Sequence, residues 1–537
     1  MPRLRESVCL VILLAASASG ESLYVDASHS RCPGSGTIDD PFCQIQPAID
    51  AAIDGDEVLV LPGTYTENLD FLGKAIRVHS LAGPRATIID GGGVRSVVRF
   101  ASGEGPGSVL EGFTLTRGSG EPSSFGPPSG GGIVCRDASP TIRGNTIEGN
   151  ACPGGVGGGI LLVGSVALVE NNVIRDNRAE HGAGIYLSAS TARVRRNWIT
   201  ANVATPLSDQ GSASGGGLES DLGSACWAES NVIAKNRVRA SVSATGGGVR
   251  SASPADRIVG NLIVHNRVTG LNARGGGAYV LHGWLVNNTI LDNELEGPTY
   301  GGGGVRLLNE ALMINSIVRG NWPDQAWRDL ATRVTYCNVE GGTRGDGIID
   351  ADPGFLAAGE SDYRLDCSSP CIDAGVRIPE LPALDLEGDM RIVDGDSDGT
   401  AQPDLGADEF DLLWQLIGSP TPGGPDVRLR AQSPPAFAGS TGLVFLSFSN
   451  GVQTGGIPLP GCSENVPLDS DSLFRQWLAT PPRFRQVSLG GCPGPETAAV
   501  TIPSNVPIGI VIYFAGVALG PDSLCSNVTP SRSFLTR

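Results

Sequence analysis

Between Gly130 and Asn321 the chain alternates apolar and polar residues in short stretches, each cut off by glycine or asparagine. One pattern recurs seven times: a glycine run, a short apolar stretch, an Asn-x-Ile/Val step, then a second Asn. GGGIVCRDASPTIRGNTIEGN and GGGVRSASPADRIVGNLIVHN are two of the copies. The glycine runs begin at Gly130, Gly157, Gly182, Gly215, Gly246, Gly275 and Gly302. The first Asn falls at Asn145, Asn172, Asn197, Asn231, Asn261 and Asn288, with Ser316 in the last copy. The second falls at Asn150, Asn177, Asn202, Asn236, Asn266, Asn293 and Asn321. A repeat of this size predicts a solenoid.

Glycine triplets and β-branched residues exclude helical repeats. Leucine-rich repeats are excluded because Ile and Val fill the strand positions, and no calcium-binding nonapeptide is present. The pattern therefore predicts a parallel β-helix with one copy per coil, its strands stacking at roughly 4.8 Å and its inward Ile, Val and Leu forming columns. Asn tolerates left-handed dihedrals at corners, and stacked Asn side chains can bond to the next coil. A role in every coil is what stacking needs, so the asparagines are expected to be structural. Spacings between glycine runs are 27, 25, 33, 31, 29 and 27 residues. Most of the variation follows the second Asn and should project from one edge.

Ahead of the repeats, DDPFCQIQPAIDAAIDGDEVLVLPGTY predicts one amphipathic helix. Asp40 is its expected N-cap, and Ile45, Ile49, Ala52 and Ile53 its apolar face. A short helix of this kind can cap the open end of a solenoid. Strands are expected at 57–61, 75–80, 87–89 and within 110–118. The resulting organisation is a signal peptide at 1–18, a cap and first coils at 21–128, and regular coils at 129–345. An end segment with an acidic loop follows at 346–410, then a linker at 411–426 and a β-sandwich-like domain at 427–537.

Arg3, Arg5, an apolar run from Val8 and Ala16-Ser17-Ala18 give the N-terminus the look of a secretory leader, so the protein is expected to be secreted or on the cell surface. Neither apolar run, Val8–Ala16 or Ile508–Leu519, is long enough to span a membrane as a helix. Of 12 cysteines, Cys9 lies in the leader, leaving an odd number. Cys32–Cys43, Cys367–Cys371 and Cys462–Cys492 are the expected local pairs. The formal net charge of -18 argues against nucleic acid. It also requires a bridging cation if the ligand is polyanionic.

Several stretches resemble the secreted bacterial right-handed parallel β-helix proteins of the pectin-lyase-like superfamily. They are GTIDDPFCQIQPAIDAAIDGDEVLVLPGTY at 36–65, GFTLTRG at 112–118, the N-x-I-x-x-N coils, ADPGF at 351–355, DYRL at 362–365, SPCIDAG at 369–375 and PDLGADEF at 403–410. The resemblance spans roughly residues 22–410. It implies an all-β right-handed parallel β-helix with a short capping helix, followed by a small C-terminal sandwich. It leaves the reaction open, because relatives on this fold include lyases, hydrolases and surface proteins.

Two clusters carry candidate chemistry. Asp394, Asp396, Asp398 and Gly399 have the spacing of a calcium loop. Leu405 stands at the usual twelfth-position Glu, so Asp404, Asp408 or Glu409 would have to close it, with Asp404 taken as the fourth ligand. Such a calcium ion would lock the end cap. Lys235, Arg237, His265 and Arg267 flank the second Asn on successive coils, with Asp292 and Glu294 beside them. They are candidate catalytic residues of a calcium-assisted polysaccharide lyase, an Arg serving as base; as plain chemistry they are a ladder of opposite charges on a wet face. The hydrolase signatures are missing as a set. The composition thus leaves a non-catalytic surface, adhesive or glycan-binding protein, with a lyase as the alternative. The partner in either case is a polysaccharide or cell-surface glycan, and the oligomeric state is left open.

Overall fold

The computed structural model describes residues 20–122, 127–298, 301–358, 362–366, 368–396 and 398–410, together with strands between 413 and 535. The signal-peptide stretch and the Cys462–Cys492 pair lie outside the described residues. The chain divides into two compact units, Met1–Arg193 and Val194–Arg537.

In the first unit the strands stack in three parallel rows, and a fourth row joins them from Ala151–Val156 onward. Thr141–Arg143, Thr146–Glu148, Ala151–Val156 and Ile160–Val163 make one coil. Every strand pairs in parallel with its counterpart one coil on, as Ile133 does with Ile160 and Ile160 with Ile185. The helix spans Ile45–Ala51, with Ile45, Ala48 and Ile49 buried. Its cap differs from the expectation. Gln44 is the N-cap residue, and the free N–H groups of Ile45 and Gln46 donate to the Glu67 carboxylate at 2.8 and 2.9 Å. A carboxylate from another strand thus does what Asp40 was expected to do, and it favours the positive helix end. Ile53 lies beyond the helix and is 66% exposed. The Cys32–Cys43 disulfide is present.

The second unit repeats the pattern. One coil holds Trp227–Glu229, Val232–Ala234, Arg237–Arg239, Ser243–Thr245 and Val249–Ser251. Ile199, Ile233, Ile263, Ile290 and Val318 stack as one fully buried column. The stretch after the second Asn is not all loop, since two of the five strands belong to it. The asparagines form ladders. Asn236 N and Nδ2 donate to Asn266 Oδ1, and Asn266 N and Nδ2 donate to Asn293 Oδ1, all within 3.0 Å. The ladder ends at Asn321, whose N–H donates to Gln325 Oε1. The left-handed residue is not the Asn but the one before it: Ala201, Lys235, His265 and Asp292 have φ of 56, 57, 55 and 52°.

The glycine runs have two physical reasons. Gly246 and Gly275 take positive φ, and a Cβ on either would meet the outward residue four positions on, Arg250 or Tyr279, inside 3.0 Å.

The described residues of 351–410 fold back along the side of the coil. Asn287 Nδ2 donates to Asp404 O, Ala407 N to Thr289 Oγ1, Ser230 Oγ to Asp385 O and Asn315 Nδ2 to Val376 O. Beneath this flap the outer face of the coil is apolar: Ala234, Val264, Leu291 and Ile317 pack with Tyr363, Leu365, Leu405 and Phe410. Cys371 is a buried free thiol within this core, so the Cys367–Cys371 pair does not form. Beyond Phe410 the strands are antiparallel, in a three-stranded and a five-stranded sheet. Leu413–Ile417 pairs with Val427–Gln432 and takes up part of the stretch read as linker.

Candidate functional site

Where the flap stops short of covering the coil face, it leaves a cavity of about 350 Å³. Its floor is the outward row of three stacked strands: Trp198 and Thr200, Val232 and Ala234, Leu262 and Val264. These positions face outward because the alternate residues, Ile199, Ile233 and Ile263, are turned into the core. The corner residues Lys235 and His265 form one wall. The flap supplies the other through Asp362, Tyr363, Arg364, Glu387 and Asp408. A mostly apolar concavity with a few convergent polar groups is the usual form of a small-ligand site.

Two polar contacts order the wall. Tyr363 Oη and His265 Nε2 are 3.0 Å apart. Arg364 makes a bidentate pair with Asp362, Nε–Oδ1 2.8 Å and Nη2–Oδ2 2.7 Å, and Glu387 lies 3.8 Å from its Nη1. Burial disfavours the Arg364 charge, but the bonds to Asp362 and the charges of Glu387, Asp362 and Asp408 together outweigh it and raise its pKa. Trp198 is 54% exposed, with its indole on the cavity floor. Asp408 is buried, and its Oδ2 accepts from Leu365 N. Burial, then the charges of Asp385 and Glu387, push the Asp408 carboxyl well above its ordinary value.

The four candidate catalytic residues divide into two pairs. Lys235 and His265 precede the ladder asparagines and face the cavity. Arg237 and Arg267 follow those asparagines and begin strands of the next row, where they stack in register with each other and with Glu294. Arg267 is paired with Glu296 and lies 3.6 Å from Glu294. The column thus splits at the corner: one half lines a cavity, the other is an ion ladder. Burial raises the pKa of Asp292, on the next coil, and the nearby His265 partly offsets this.

The aspartate loop is also rearranged. Asp394 and Asp396 converge with Asp373, their oxygens within 4.8 Å of one another. Asp398 N donates to Asp394 Oδ1 and Asp396 Oδ1, and Asp398 Oδ1 accepts from Thr400 N. Asp404 points inward and accepts from Asp373 N at 2.7 Å and Phe410 N at 2.6 Å. Asp404 is therefore a buried brace of the flap, and Asp373 stands where a third cation ligand was sought. Three carboxylates at this separation suit a hard cation such as calcium.

Trp198, Tyr363, Arg364 and Asp408 are missed by reading the repeat alone. One signal was available. The residue after each core Ile or Val of this row runs Glu148, Arg175, Thr200, Ala234, Val264, Leu291. Its change from polar to apolar marks a face that something must cover.

Residues 104–233 match the family model described as a right-handed β-helix region. Comparison with curated protein sequences finds no match. Among solved structures the chain is similar to the pectate lyase Pel9A, at 15% identity over 73% of this chain and 97% of that one, TM-score 0.38. It is similar to XylC in complex with xylose, at 11% identity over 89% and 100%, TM-score 0.32. A rhamnogalacturonan lyase shares 14% identity over 64% and 92%, TM-score 0.28. No helix among the described residues is long and apolar enough to cross a membrane.

Proposed function

We propose that this parallel β-helix is an exported glycan-binding protein, and that the cavity between the coil face and the flap is its sugar site. The observation that carries this is Trp198, more than half exposed on the floor of a cavity walled by Lys235, His265, Tyr363 and Arg364. An indole face suits the apolar C–H face of a pyranose, and hydroxyl-bonding groups around it fix orientation. The test is a panel of neutral and uronic-acid polysaccharides, followed for retention and for turnover. Retention without new products is expected, with Trp198→Ala weakening it at least about tenfold, the loss of one aromatic contact. If no polysaccharide is retained, or if Trp198→Ala binds as the parent does, the reading fails.

A lyase is the second reading, favoured by the His265–Tyr363 pair opening on the same cavity. A histidine-bonded phenol can serve in proton transfer. It predicts unsaturated products from the panel, lost in Tyr363→Phe. The carboxylates of Asp373, Asp394 and Asp396 would hold calcium. The ion would fasten the flap rather than touch the sugar, because none of the three lines the cavity.

A further inference from the structure

A second row of outward residues runs along the strands that follow the glycine triplets. Glu219, Arg250, Tyr279, Arg306 and Trp327 occupy the middle position of successive strands and stack in register. The glycines before Glu219, Arg250, Tyr279 and Arg306 leave those side chains room on the coil, whereas the strand of Trp327 follows no glycine run. The row begins with its charges matched: Arg250 Nη1 is 2.8 Å from Glu219 Oε1, and Ser214 Oγ also donates to that carboxylate. It ends with them unmatched. Arg306 lies over the Trp327 ring, 3.9 Å from its centroid, and its buried Nε has no hydrogen-bond partner.

Arg274 adds a second cation there. It ends the strand Asn272–Arg274, and Gly275 N donates to Gly301 O, which places Gly301 one coil on from Arg274. A side chain at Gly301 would overlap Arg306 Nη1, so the Arg306 guanidinium lies over the glycine next to Arg274. Burial, then the charge of Arg274, lowers the pKa of Arg306. Among the described residues neither arginine has a carboxylate within ion-pair distance. The charge of Asp324 acts on Arg306 from beyond ion-pair distance, while its Oδ1 accepts from Gly303 N at 2.7 Å.

We propose that Arg274, Arg306 and Trp327 form an oxyanion-binding site on this face, separate from the cavity, for a sulfate or carboxylate carried on a sugar ring. Two guanidinium groups close enough for the charge of one to act on the other, with no ion pair among the described residues, are an arrangement that a bidentate oxyanion relieves. Trp327, 37% exposed, offers the ring a face beside the charge, and the Tyr279 hydroxyl is one coil away. The protein's net charge of -18 opposes anions at long range, so binding must rest on these short contacts. The inference does not depend on the reading of the cavity.

The test is calorimetric titration of the full chain with dextran sulfate, polygalacturonate and neutral dextran. Either or both anionic polymers should bind, the difference telling sulfate from carboxylate, and neutral dextran should not bind at this site. Arg274→Gln, which leaves the Arg306–Trp327 stack intact, should weaken anion binding about tenfold, and Arg274→Gln/Arg306→Gln should weaken it further. Arg333→Gln, on another row, should not change it. Parent-like melting curves confirm that the variants are folded; if the double variant is not, the Arg274 single variant decides alone. The proposal is overturned if no anionic polymer binds, if folded Arg274→Gln binds as the parent does, or if Trp198→Ala abolishes the same binding.

Discussion

The corner before each ladder asparagine sets the chemistry this coil can display. A non-glycine residue in the left-handed region costs roughly 1–2 kcal/mol, yet Ala201, Lys235, His265 and Asp292 all adopt it. The ladder is what holds them there. Asn266 Nδ2 donates to Ile233 O and Asn293 Oδ1, while its Oδ1 accepts two bonds from Asn236. Asn266→Ala would leave several of these buried groups unpaired at about 1–3 kcal/mol each. Chemical denaturation should therefore show a loss of at least about 3 kcal/mol; a loss below 1 kcal/mol would mean that the ladder is dispensable. The sequence made the asparagines legible as frame because they recur. It misassigned the strained residue, since repetition reveals which position is constrained and not which dihedral it takes.

The flap is the element that makes a site of the coil face. It is fixed by buried carboxylates that accept backbone N–H groups. Asp385 Oδ1 accepts from Glu387, Gly388 and Asp389, and Glu409 accepts from Val393 and Asp404. One buried guanidinium, Arg391, serves them, donating to Gly406 O and Ala407 O and lying 3.8 Å from Glu409. Acids outnumber it, so protons remain in the folded state. Burial raises Asp404 to about 8 and, with the charge of Asp404, Glu409 to about 10. Folded values above the unfolded carboxyl values mean that the folded flap binds more protons. Its stabilisation is complete below about pH 4 and falls as pH climbs through the folded values. Between pH 6 and 10, hydrogen exchange over residues 385–410, corrected for intrinsic rate, should accelerate more than exchange in the coils. Equal acceleration in both would remove this account. The motifs at 362–365 and 403–410 were legible as markers of the end of the β-helix. Their role as a brace was not, because it depends on which backbone amides the fold brings to each carboxylate.

At the scale of the molecule, the charge of -18 is a standing repulsion that a bound dication would relieve. If Asp373, Asp394 and Asp396 hold calcium, a hundredfold excess over Kd adds about 2.7 kcal/mol to stability. Melting temperature should then rise with calcium and fall with chelator, and Asp373→Asn with Asp394→Asn should remove the difference. Identical melts in calcium and in chelator would dismiss the ion. The amino-acid sequence alone determined the coil, its strand rows and its ladders, because stacking makes each repeat meet its own copy, and self-similarity is visible in one dimension. Only the tertiary structure decided that Tyr363 meets His265, that Asp373 joins Asp394, and that Arg274 and Arg306 share a face with Trp327. Those contacts join positions with no common period, and chain folding in three dimensions alone brings them together.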